Sequence, residues 1–462
     1  MNTSSNRRAF LLGAGAVASA CIATRTLLSP IPVEAASFVR KDIGNLAAND
    51  PVILSYRKAV KAMKALPSSN PLSWSYQAAI HGTQTGSNIA WNTCEHHTTE
   101  FWPWHRMYLY WFERIIRKMS GDPNFALPYW NWSSATQRQL PAVFRDTTSE
   151  LYTSQRATAL NNGTGSLPAG ITSYTSAFTF VPFASGSSGV ESGPHDNIHV
   201  TIGGLMQSIL TAGQDPIFFV HHCNIDRLWN LWLAQGGGRA DPTGDTTWTG
   251  HTYTFFDENG SAVKMTPCDV LRALQQLNYS YEGEPAQVNQ YCLRLIKIPI
   301  WRWIIIIQFP FPPIVLLPKV VTVPLDYSTA RDKITSIARS PGQQLVLQLD
   351  DVEADRQPGI TWEVYLGGGD PASLTPDNPA FLGSIALFST GIRGEKHGNM
   401  AFMPASFTFP INPRVVATMA KTSTLPLVFV PRGLVIDGKP SVPKPLTQVK
   451  IGKVSLVAGK AD

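Results

Sequence analysis

Ten histidines occur in this 462-residue sequence. Eight of them (His81, His96, His97, His105, His195, His199, His221 and His222) lie between positions 81 and 222. An even spread would place about three in that window, and clustered imidazoles are the mark of a metal site. His195-Asp196-Asn197-Ile198-His199 sets two imidazoles one helical turn apart on one face, where both reach a single ion. A zinc peptidase with this spacing carries glutamate directly after the first histidine as its base. Asp196 stands there instead, which weakens a hydrolytic reading.

A third histidine follows in Asp215-Pro216-Ile217-Phe218-Phe219-Val220-His221-His222-Cys223-Asn224-Ile225-Asp226. On a helix opened by Pro216, Phe218 lies one turn before His222 and Asp226 one turn after it. The ring would fix the imidazole's rotamer, and the carboxylate would orient it or pair with Arg227. His195, His199 and His222 thus form one triplet.

Upstream, His81 closes the apolar segment SWSYQAAI ahead of Gly82, a helix stop. Cys94-Glu95-His96-His97 then leads into Phe101-Trp102-Pro103-Trp104-His105, where Phe101 precedes His105 as Phe218 precedes His222. His81, His96 and His105 form a second triplet, with His97 as the competing register for His96. Three neutral imidazoles without thiolate or carboxylate suit copper, zinc or nickel. Two matched triplets suggest a pair of like ions.

The elements that carry these residues show helical patterns over positions 37–235. Beyond about 340, short β-like runs alternate with turns: QQLVLQLDD, ITWEVYLGGG, GSIALFSTG, AFMPASFTF, LPLVFVPRG and KIGKVSLVAG. The expectation is an α+β multidomain chain, with a mainly α-helical core (four helices around the metals) followed by a C-terminal β-sandwich. The expected divisions are an export signal over 1–35, the histidine core over 36–235, a connecting segment over 236–320 and a β-rich domain over 321–462.

The blocks Asp215–Asp226, H-x-x-x-H before it and the nine-residue step from His96 to His105 resemble the tyrosinase, catechol oxidase and hemocyanin family of coupled dicopper proteins. The resemblance spans roughly residues 70–235 and implies a four-helix bundle around two copper ions, with O2 as co-substrate. By position, His81, His96 and His105 would hold the first copper and His195, His199 and His222 the second, with His221 beside the ligands. Cys94 resembles the family's cysteine that forms a thioether with the neighbouring ligand ring, here His96. Glu191 matches the acid that positions a water for phenol deprotonation, and Asp196 the position linked to the balance between hydroxylation and oxidation. Phe255-Phe256-Asp257-Glu258-Asn259, Cys268 and Tyr279-x-Tyr281 look like the middle segment of plant polyphenol oxidases, and the β-rich tail like their C-terminal shielding domain.

The resemblance therefore implies a copper enzyme that oxidises o-diphenols to o-quinones and ortho-hydroxylates monophenols, latent until its own C-terminal domain is displaced. A hemocyanin-like dioxygen carrier and a zinc hydrolase are the competing readings. The small phenolic substrate is the only external partner expected. The net charge of +6 is scattered and falls to +4 without the first 35 residues, so nucleic-acid binding gains no support.

Asn6-Arg7-Arg8-Ala9-Phe10-Leu11-Leu12 and an apolar run to Ala23 read as a twin-arginine signal, cleaved near Ala36; Cys21 is a poor match for lipid attachment. This points to a bacterial protein, periplasmic or secreted. The apolar stretch 292–318 contains Arg302 and five prolines, so an extended segment over a core is favoured above a transmembrane or interfacial one. Cys268 and Cys292 are a candidate disulfide. His251 and His397 carry no motif.

Overall fold

A computed structural model describes residues 38–284, 301–340, 342–388, 390–393, 402–442 and 447–461. The twin-arginine segment, Cys292 and His397 lie outside these residues. In the N-terminal half, helix α1 (Pro51–Lys64) begins where Asp50 accepts from the Val52 amide with Pro51 in the first turn, and it buries Ile53, Tyr56, Val60 and Met63 at helical spacing. Helix α2 (Trp74–His81) starts at the Ser73 cap. Helix α3 (Phe101–Ser120) ends at Gly121, whose φ of 73° places it in the left-handed region. Helices α4 (Phe183–Val190) and α5 (Asp196–Ile202) are joined by a kinked turn through Gly193 and Pro194. Helix α6 (Ile217–Ala234) is buried almost all round, as its near-continuous apolar sequence requires.

Helices α2, α3, α5 and α6 surround the histidines, and α1 packs outside on α3. A short parallel pair of β1 (Phe38–Arg40) and a strand at Tyr279–Tyr281 ties the start of this half to its end. With the hairpin β2 (Tyr253–Phe256) and β3 (Ala262–Met265) intervening, that second strand is β4. Residues through Tyr281 share one apolar core.

The C-terminal half is a two-sheet sandwich. One sheet runs β10 (Phe381–Ile385), β9 (Thr361–Leu366), β12 (Thr424–Arg432), β7 (Val321–Asp326). The other runs β11 (Ala405–Pro410), β8 (Gln343–Glu353), β13 (Val449–Ala461), β5 (Trp301–Gln308), with β6 (Ile314–Leu316) also on β13. All pairs within the two sheets are antiparallel, with Leu347 opposite Leu456 and Val364 opposite Phe429. Leu347, Leu349, Trp362, Phe407, Phe429 and Leu456 fill the space between the sheets.

Each of the six β-like runs read from the sequence contributes a strand. The division at 320/321 does not hold, because β5 and β6 pair with β13 and belong to the sandwich. Ladder pairing, with a partner about 150 residues away, decides this, and the local apolar run could not reveal it. Among the described residues no helix is long and apolar enough to cross a membrane. Strand β9 is buried on both faces, since its outer side lies against the helical half: Glu363 abuts Gly170, where a side chain would collide with the carboxylate.

Candidate metal centre

Five of the six histidines sit on helices or their ends: His81 at the last position of α2, His105 on α3, His195 at the start of α5, His199 on α5 and His222 on α6. His96 comes from the loop between α2 and α3. The rings of His81, His96 and His105 lie 5.1 to 5.7 Å apart, centre to centre. The rings of His195, His199 and His222 lie 4.6 to 5.4 Å apart. His105 stacks on His222 at 4.4 Å, so the two triplets form one site.

Their tautomers follow from their neighbours. His81 Nδ1 lies 3.0 Å from Ile209 O, His105 Nδ1 2.8 Å from Phe101 O, and His199 Nδ1 2.9 Å from Met206 O. A carbonyl can only accept, so each Nδ1 carries the proton and each Nε2 presents a lone pair. His195 Nδ1 pairs instead with Asp196 Oδ1 at 2.8 Å. Among the described residues Nε2 of His81, His105 and His195 has no partner, nor has either nitrogen of His96. His199 Nε2 faces His222 Nε2 at 3.2 Å.

Buried lone pairs converging without donors are what metal ions would satisfy. Burial, reinforced by the neighbouring imidazoles, lowers the pKa of every one of the six except His81, where burial alone lowers it, to about 3; all therefore stay neutral, the ligand form.

Gly82 does end α2, but in extended rather than left-handed conformation. Its glycine character serves a close approach: a Cβ there would run into Ile209 O, the carbonyl that His81 uses. Phe218 lies 4.1 Å from His222 and 4.7 Å from His81. Phe101 lies 4.9 Å from His105 and 4.8 Å from His195, so each phenylalanine touches both triplets.

Asp226 departs from expectation. It touches neither His222 nor Arg227, because two buried guanidiniums capture it: Arg106 Nε at 2.5 Å and Arg40 at 3.1 Å, joined by the Tyr279 and Tyr281 hydroxyls at 2.6 Å. Arg227 pairs with Glu284. Asp226 thus clamps α6 to α3 behind the site. Burial alone would raise its carboxyl, but Arg106 and Arg40 hold it below the usual range.

His97 points away from the triplets. Its backbone sits at φ 56°, its amide donates to Glu191 Oε1 at 2.6 Å, and its ring reaches toward Asp196 and Thr390. His221 accepts from Trp132 Nε1 at 3.1 Å through Nδ1, which leaves its Nε2 protonated and unable to ligate, although its atoms lie within 4.8 Å of those of the second triplet. Glu191 is buried, and among the described residues its Oε2 has no partner. Burial pushes its carboxyl well above the usual range, with Asp196 adding to the effect; burial also raises Asp196.

Cys94 Sγ lies within 4.8 Å of His81 and His96 nitrogens, and burial raises its thiol. Cys223 is a buried free thiol, and Cys268 is disulfide-bonded.

Phe388 escaped sequence reasoning. It follows β10 in the C-terminal half, yet stacks on His199 at 4.2 Å and lies 5.6 and 5.8 Å from His195 and His96. It is 1 % exposed and closes the face of the histidine site. Its run, GSIALFSTG, gave no signal beyond strand-forming character.

Two histidine triplets facing one another, carried by helices except at His96 and closed by a β-sandwich, define a site suited to a pair of metal ions. The common central domain of tyrosinase matches residues 71–173 and 147–235, and the polyphenol oxidase middle domain matches 243–290. A latent chloroplastic polyphenol oxidase of Prunus armeniaca is 28% identical over 390 residues, covering 74% of this chain and 65% of that protein. A tyrosinase of Hahella sp. (strain CCB-MM4) is 35% identical over 286 residues, covering 50% and 61%. The chain therefore spans somewhat less than two thirds of these relatives. Latent apple tyrosinase shares the fold, with a TM-score of 0.64 at 23% identity over 94% of this chain and 99% of that one. Residues 71–235 thus match the tyrosinase central domain and residues 243–290 the polyphenol oxidase middle domain, and the histidines fit a dicopper centre.

Proposed function

We propose that this protein is a polyphenol oxidase, in which two copper ions held by His81, His96, His105 and by His195, His199, His222 serve the oxidation of o-diphenols. Two o-diphenols yield two o-quinones as one O2 becomes two waters. The observation that carries this reading is the set of six buried, neutral imidazoles stacked as two triplets, in which Nε2 of His81, His96, His105 and His195 has no partner among the described residues. Copper would supply dioxygen binding and accept the electrons.

The chain supplies geometry and proton handling. A phenol loses its proton only near pH ~10 in water, so a base is needed. Glu191 Oε2, buried and unpartnered, is available to hold a water for that transfer, and its raised carboxyl suits a base better than an ordinary carboxylate would. Asp196 is engaged by His195, which favours o-diphenol oxidation, with monophenol hydroxylation as the second activity. Phe388 occupies the open face, so the enzyme is latent until the sandwich is displaced. The Cys94–His96 thioether and twin-arginine export belong to this reading; the Prunus relative is named chloroplastic and the Hahella relative is bacterial.

Oxygen uptake by copper-loaded protein, with catechol-like and tyrosine-like substrates before and after limited proteolysis, tests it. No uptake with any phenol, despite two bound coppers, refutes the oxidase reading.

A further inference from the structure

We infer that Tyr253 and Trp248, in the segment that follows the histidine core, are positioning residues for His96. Of the six histidines, His96 alone comes from a loop, and it alone has no hydrogen-bond partner at either nitrogen among the described residues. Its place is therefore set by whatever holds the loop. On one side the Thr93 amide donates to Ile80 O at 3.1 Å, and on the other the His97 amide donates to Glu191.

Two further fixings come from outside the helical core, on either side of His96. The Tyr253 hydroxyl lies 3.0 Å from Glu95 Oε1, one residue before His96, and 2.9 Å from His251 Nδ1. Its single proton goes to the carboxylate while its oxygen accepts from the imidazole N–H. Trp248 Nε1 donates to Thr99 O at 3.0 Å, three residues after His96. Trp248 is itself buried, set edge-on against Phe183 at 5.6 Å, on a turn capped by Asp245.

The neighbouring contacts have the same direction. Phe255 packs on Trp104, Phe256 on Tyr76, and Glu258 pairs with Arg114. These land on α2 and α3, the helices that carry His81 and His105. Residues 246–265 therefore brace the first triplet, while the C-terminal half, through Phe388, stacks on the second and also borders His96 at 5.8 Å. Partners that orient ligands of a metal change its affinity by ~10–100-fold when removed.

The inference rests on His96 being a copper ligand, and the test separates the two claims. Full-length protein, its Tyr253→Phe and Trp248→Phe variants and the double variant would be loaded with copper. Each would then be titrated with a copper chelator, counting bound ions per chain. The expected result is one copper held about tenfold more weakly in each single variant and lost from the double variant, while the second copper keeps its parental affinity. That second ion is an internal control for folding. Parental affinity at both sites overturns the inference, and so does equal weakening of both, which marks a general structural role. A parent chain that binds fewer than two coppers sinks the copper assignment itself.

Discussion

Replacing Phe388 with alanine should convert the intact chain from a latent to an active oxidase. The ring is 1 % exposed and stacks on His199 at 4.2 Å with an interplanar angle of 22°. Burying a phenylalanine side chain favours the closed arrangement by about 2 kcal/mol, and its ring contacts add about 1 kcal/mol. Losing roughly 3 kcal/mol of preference for the closed form raises the accessible population by about a hundredfold, and apparent substrate affinity scales with that population. The assay is the initial rate of oxygen uptake with a simple catechol on unproteolysed, copper-loaded protein, with proteolysed parent as the ceiling. Phe388→Leu, which keeps an apolar plug, should give a smaller rise. If Phe388→Ala stays as slow as the intact parent while proteolysis activates the parent, Phe388 is not the barrier.

Three further outcomes can be checked separately. His105→Ala should retain one copper of two and lose oxidase activity, read by metal analysis and oxygen uptake; full activity would refute the ligand assignment. After copper loading and exposure to O2, the peptide containing Cys94 and His96 should weigh ~2 Da less than its reduced form, the two hydrogens lost on thioether formation, and should resist alkylation. An alkylatable thiol in active enzyme would exclude the bond. Asp226, held below the usual range, stabilises the fold above its unfolded-state pKa of ~3.9, and this contribution is lost as pH falls through the still lower folded value. Thermal melts of the parent should drop on acidification below about pH 4. Asp226→Asn, already destabilised by ~3–5 kcal/mol because Arg106 loses its buried carboxylate and Arg40 keeps only Glu113, should lose that part of the pH dependence; an unchanged acid profile would show that other carboxylates govern it.

The gathering of the six histidines was legible because its information is local: i to i+4 spacing on α5, and a phenylalanine one turn before a histidine on both α3 and α6. The strands of the sandwich were legible from alternation and turns. What could not be read depends on partners distant in sequence. Asp226 meets Arg106 across 120 residues and Arg40 across 186, so its local setting beside His222 misleads. Gly82 read as a helix stop, which it is, but its lack of a side chain is required by a carbonyl on a different element, at Ile209. Phe388 reaches the site only once two domains are assembled. Strand β5 declares its sheet only through pairing with β13.

The anchoring of the imidazoles bears on how this centre can change. At His81, His105 and His199 the proton on Nδ1 is held by the main chain, by Ile209, Phe101 and Met206 carbonyls. A carbonyl is present whatever residue occupies the position, so substitution at those three partners cannot remove the acceptor. At His195 the partner is a side chain, Asp196. A single codon there can alter the electron donation of one ligand while leaving the other three anchors in place. Three of these four anchors are thus insulated from mutation, and the fourth, at Asp196, is left open to selection.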